Sequence, residues 1–131
     1  MYSMYLLIDS SVKDQITLAF FDEQHIERKM YEVMNREVLT CIDLFLTEQG
    51  RKAEEIRGIL VVVGTGGFSS TRIAVTVANT FGYVFQMPLL AITEEQAKMP
   101  QDMIETLLRQ KPGMYILPEY SAEPNITQKK Q

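Results

Sequence analysis

Cysteine and histidine occur once each in the 131 residues, as Cys41 and His25. A single cysteine excludes an intramolecular disulfide framework and any zinc site built on cysteines, and its place in an apolar helical run favours a cytosolic setting. A single histidine in the turn "DEQH", with no evident acidic orienter, makes a poor base for a serine or cysteine nucleophile. No G-x-S-x-G elbow is present either. Surplus positive charge is also missing: 13 Lys and Arg against 17 Asp and Glu give a net charge of -4. Phosphate contacts need clustered cations, so a general nucleic-acid footprint is excluded. The one locally basic stretch, "QKK" near Lys129, reads as a solvated terminus. No apolar run approaches the ~20 residues of a membrane span. The opening "MYSMYLLIDSS" lacks the basic region and cleavage site of a signal peptide, so Met1 is read as the start of the domain.

What is there is 46% apolar and 23% charged residues, the balance of a folding, soluble globular chain. The length suits one domain with a real core, and we expect a single domain over 1–131 with an irregular tail from about residue 118. "MYLLID" reads as a buried strand. "QITLAFFD" alternates Ile16, Leu18 and Phe20 against Gln15, Thr17 and Ala19, as a half-exposed strand does. "HIERKMYEV" makes a third, more polar strand, so the three predict an antiparallel meander. From Asn35, a candidate N-cap, to Gly50, a candidate stop, the pattern is helical. Ile59–Val63 forms a central strand, "STRIAVTVANTFGYVFQ" a second helix and "PLLAI" a further strand. "PQDMIETLLRQKPG" reads as a short helix and "MYILP" as a short extended piece. The expected fold is α/β: a mixed sheet in which a meander leads into strand–helix–strand units.

The helices carry more apolar surface than one sheet needs. At 100° per residue, Val38, Leu39, Cys41, Ile42, Leu44, Phe45 and Leu46 span an arc of about 220°. Ile73, Ala74, Val75, Val77, Ala78, Phe81, Val84 and Phe85 span about 200°, with Arg72, Thr76, Asn79, Thr80 and Tyr83 opposite. Ala74, Ala78 and Gly82 are small enough to let another helix approach closely. Burial between the sheet and each other, or an exposed stripe for a partner, are the two readings.

Between strand and helix lies "LVVVGTGGFSSTRIAV". A P-loop needs a lysine that Gly64–Thr71 lacks, and the dinucleotide fingerprint needs a glycine where Ser69 stands. The small residues Gly64, Gly66, Gly67, Ser69 and Ser70 therefore read as a structural turn into a helix N-terminus, with a serine as its cap. Asp9, at the end of the first strand, reads as a turn cap with Ser10, and Thr93 as an N-cap ahead of Glu94 and Glu95.

Taken together, "LLIDSS…ITLAFFD" and "IRGILVVVGTGGFSSTRIAVTVANTFGYVFQMPLLAI" resemble the N-terminal domain of the TsaB family, also called YeaZ, over roughly residues 4 to 96. The family's motif G-x-G-S-[FY]-T-G-[LI]-R-[IV]-G falls on Gly64 to Ala74. Gly64, Gly66, Phe68, Arg72 and Ile73 match, Ser69 is a conservative change, and Gly67, Ser70, Thr71 and Ala74 depart. "LPEYSAEPNI" is similar to the family's C-terminal P-x-Y-x-x-x-P tail, as if a second domain were deleted. The resemblance implies half of an actin-like, ribonuclease-H-like architecture. It also implies a non-catalytic protein supporting a TsaD-like enzyme, which with TsaE transfers threonylcarbamoyl to an adenosine of tRNA. In that family the two helices pack against TsaD, or against a second TsaB when TsaD is absent. The expected contacts here are Val38, Cys41, Ile42 and Phe45 on the first helix, and Ala74, Ala78, Phe81 and Phe85 on the second. No cofactor is expected on this chain alone: ATP would sit on the partner enzyme, and tRNA would be met through the complex. One alternative is a nucleotide- or phosphate-binding enzyme fragment using Asp9, Gly66, Gly67 and Arg72; another is a homodimeric interaction module.

Overall fold

Five strands form one sheet in the order β3-β2-β1-β4-β5 in the computed structural model, which describes residues 4–63 and 68–116. The strands are β1 (Met4–Asp9), β2 (Ile16–Phe21), β3 (Ile26–Tyr31), β4 (Ile56–Val62) and β5 (Leu89–Ile92). β1, β2 and β3 make the expected antiparallel meander, and β4 and β5 run parallel to β1. The α/β class and the mixed sheet are as the sequence implies. The described residues also form three α-helices: α1 (Val38–Gln49), α2 (Phe68–Phe85) and the short α3 (Ile104–Leu108).

Successive side chains of a strand point to opposite faces, and β1 uses both. Leu6 and Ile8 join β2's Ile16, Leu18 and Phe20 and β4's Ile59 and Val61 in a core closed by α1 and α2. Tyr5 and Leu7 join Ala19, Phe21, Leu60, Val62 and Ile92 in a second core closed by Ala97, Ile104 and Leu107. This corrects the reading of β2 as half-exposed. Ala19 is fully buried because the segment after β5 turns back across the second face.

Local chemistry explains the ends of the elements. α1 stops at Gly50, whose φ of 67° only a glycine adopts without steric cost. Gly50 N donates to the Thr47 carbonyl at 3.1 Å and Arg51 N to the Leu46 carbonyl at 2.9 Å, the paired bonds that close a helix C-terminus. Its start differs from expectation. Asn35 is not a cap but opens a 3-10 turn, Asn35–Glu37, that runs into α1. The bond from Glu37 N to the Met34 carbonyl at 2.9 Å takes up a donor that a side chain would otherwise cap. After β5, Thr93 and Gln96 bond reciprocally: Gln96 N donates to Thr93 Oγ1 at 3.1 Å, and Thr93 N to Gln96 Oε1 at 2.9 Å. The helix expected from Pro100 is split into a 3-10 turn, Pro100–Met103, and α3. Residues 114–116 form no strand, and the tail from 118 lies outside the described residues.

Candidate docking surface on α1 and α2

Both helices lie over the same face of the sheet, and the centre of each apolar arc turns inward. Val38, Cys41, Ile42 and Phe45 of α1, with Ala74 and Ala78 of α2, are buried in the core beneath the helices. A side chain so enclosed offers no surface to a second protein in this structure: these six expected contacts lie in the core. The sheet claims the middle of the α1 arc, and on α2 it claims Ala74 and Ala78 together with Val75 at one limit of the arc. Phe45 stacks on Phe20 with ring centroids 4.6 Å apart. Gly82 admits the sheet: a Cβ there would come within 2.8 Å of Leu89 Cδ1. Burial raises the Cys41 thiol above its ordinary range, with Glu37 adding to the effect, which describes an inert core cysteine.

Both limits of the α1 arc and one flank of the α2 arc face out. Leu39 and Leu44, the two limits of the α1 arc, are 56% and 47% exposed. On α2, Ile73, Val77, Phe81 and Val84 recur at four- and three-residue spacing and so share one flank. The first three are half-buried against the core edge, while Val84 is 60% exposed. Phe85, an expected contact, is partly exposed and lies with its ring centroid 5.8 Å from that of Phe81, another expected contact. Tyr83, assigned to the polar side, is exposed as well. Leu39, Leu44 and Val84 were visible as members of the arcs; place at a limit marks Leu39 and Leu44, but on α2 the residue at the far limit, Val75, is buried.

The other predicted residues fall apart from this surface or do structural work. Gly64, Gly66 and Gly67 lie outside the described residues, and of Phe68 only the backbone is described. Arg72 is exposed near the start of α2, beside the half-buried Ile73. Asp9 caps its own turn: its Oδ1 accepts from Ser11 N at 3.0 Å and from Ser11 Oγ at 2.6 Å. His25 sits in an exposed turn, where Asp22 Oδ1 accepts from Gln24 N and His25 N at 2.8 Å each. Those backbone bonds hold the Asp22 carboxyl below its usual range. At the outer edge, Lys29 Nζ lies 2.9 Å from Glu48 Oε1, which also accepts from the Tyr31 hydroxyl at 3.3 Å. The Lys29 contact lowers the Glu48 carboxyl, while burial and the Glu48 charge push Tyr31 up to about 12. Among the described residues no group of His, Cys, Asp or Glu is placed to hold a metal, and no helix is long and apolar enough to cross a membrane.

A family model described as TsaD, tRNA N6-adenosine threonylcarbamoyltransferase, matches residues 33–122, more than half of the chain. Among curated proteins none matches. Two solved structures share the fold: YeaZ from Pseudomonas aeruginosa, and an uncharacterized protein with similarity to peptidase YEAZ from Pseudomonas aeruginosa. Each superposes with a TM-score of 0.64 at 22% identity, covering 79% of this chain and 49% of the other. The chain thus spans about half the length of these relatives, and the likeness to YeaZ read from the sequence holds in the fold.

Proposed function

The chain belongs to the TsaD family, and from that premise we propose that it is a non-catalytic, TsaB-like subunit supporting a TsaD-like enzyme in threonylcarbamoyladenosine modification of tRNA. The docking face is the outer side of α1 and α2. The observation that carries this reading is the apolar stripe Ile73, Val77, Phe81 and Val84, with Phe85 beside it and Leu39 and Leu44 on α1. Covering such a stripe removes apolar area from water at about 25 cal/mol per Å², and helices laid on helices do this efficiently.

In this reading the chain works in the cytosol and binds no nucleotide alone. ATP belongs to the partner enzyme, a TsaE-like protein joins the assembly, and tRNA is met only through it. A second copy of the chain covers the same face when the partner is absent. Co-expression with a TsaD-like protein tests the proposal: the two should co-elute as one species. Failure to form a complex even with tRNA and ATP present would overturn it. Calorimetry with ATP and ADP should show no heat for the isolated chain, whereas a nucleotide-binding fragment using Asp9 and Arg72 would give a saturable signal. Loss of the protein without change in tRNA modification would instead favour a homodimeric module.

A further inference from the structure

Residues 113–116 lie against the side of α2 away from the apolar stripe. The half-buried Asn79 holds both main-chain groups of one residue there: its Nδ2 donates to the Ile116 carbonyl at 3.0 Å, and its Oδ1 accepts from the Ile116 amide at 2.9 Å. A helix side chain thus supplies the pairing that a neighbouring strand would give. The other bonds are longer, from Gly113 N to the Met87 carbonyl and from Met114 N to the Lys111 carbonyl, at 3.3 Å each. Pro112 followed by Gly113 at φ 81° gives the turn Lys111–Met114 a preset shape, so the segment has a defined pivot. Of its side chains Ile116 packs against the core, while Met114 and Tyr115 are 57% and 68% exposed.

We propose that residues 113–116 form a releasable strap, latched by Asn79, that opens without unfolding the domain and uncovers the half-buried Asn79 between the already exposed Thr76, Thr80 and Tyr83. Among the described residues the strap is held by the Asn79 amide, the Ile116 side chain and the longer Gly113–Met87 bond, whereas β4 is bonded on both sides and enclosed on both faces. Segments held by so few buried contacts open at a much lower free energy than the sheet. Opening frees Asn79's donor and acceptor together with the seat of Ile116. The flank is then ready to take back one aliphatic residue of unpaired main chain, which in the closed state is the strap itself.

Amide exchange on the full chain, followed by NMR, tests this. Ile116 should exchange at least a hundredfold faster, relative to its intrinsic rate, than Leu60 and Val61, and low urea should leave its protection unchanged. Asn79→Ala, which removes both latch bonds, should speed Ile116 by about tenfold to thirtyfold and leave the β4 amides and the thermal midpoint where they were. The proposal is overturned if Ile116 is protected as strongly as β4 with the same urea dependence, or if Asn79→Ala loosens β4 in parallel. Should that variant fail to fold, the urea dependence of the unaltered chain decides alone.

Discussion

Over one face of the sheet lie two helices, α1 of 12 residues and α2 of 18; over the other lie 3-10 turns and the five-residue α3. The thin side closes its core with a few residues, Ala97, Ile104 and Leu107, which point inward. Its exposed Met99 and Leu108 are single apolar residues of the kind any protein surface carries. The thick side closes a larger core and still leaves Leu39, Leu44, Val84 and Phe85 exposed on its helices. The difference is that one layer leaves only scattered apolar residues exposed, while the other leaves them along two long helices, the face on which the proposed docking rests.

Breaking the two cores in turn should expose that inequality. Phe45→Ala removes a ring that is 1% exposed and stacked on Phe20, and should lower stability by about 3–5 kcal/mol in urea unfolding. Leu107→Ala removes the side chain that lies over Gly58, where a Cβ would come within 2.8 Å of Leu107 Cδ2. The thin layer can settle into the space, so about 2–3 kcal/mol is expected, the lower part of the range for such truncations.

The smallest expected effects lie at the sheet edge, outside both cores. Glu48 has a carboxyl lowered by Lys29, so its contribution is present above the ordinary glutamate range and lost as pH falls through the lowered value. Tyr31 is raised from 10.0 to about 12, so its contribution is present below pH 10 and lost as pH climbs toward 12. Glu48→Gln should flatten the acid limb of a stability profile, and Tyr31→Phe the alkaline limb, with the neutral plateau little changed. An alkaline limb unchanged in Tyr31→Phe would show that the raised phenol pKa contributes nothing to folding.

How far the sequence could be read follows from the range of the interactions involved. Alternation and glycine punctuation are local, so the meander, the central strand and the stop at Gly50 were visible in short windows. The entry to α1 and the split before α3 depend on whether a turn takes i→i+3 or i→i+4 bonds, which apolar spacing does not encode. The burial of Ala19 required knowing that residues some 80 positions later fold under β2. The extent of the apolar arcs was legible, but which of their residues face outward was not. Val38, Ile42, Phe45, Ala74 and Ala78 sit near the arc centres, which a one-sided helix gives to its own sheet; that Val75 is buried at a limit of the α2 arc and Phe85 exposed near its middle depends on the packing around each end of the helix. Asn79 was placed on the polar side of α2; that it holds Ile116, 37 residues away, had no signal in the sequence.

The central claim is that the outer side of α1 and α2 engages a TsaD-like enzyme. Its most direct test is threonylcarbamoyladenosine formation on tRNA by a reconstituted mixture with and without this chain, using the unaltered protein and a Leu39→Asp, Val84→Asp double variant. Both positions are exposed, so the variant should keep the fold of the unaltered chain in circular dichroism. The account predicts that product formation depends on the chain and falls at least tenfold with the variant, because a buried, unpaired carboxylate opposes docking. Full formation without the chain, or undiminished formation with the folded variant, would contradict it.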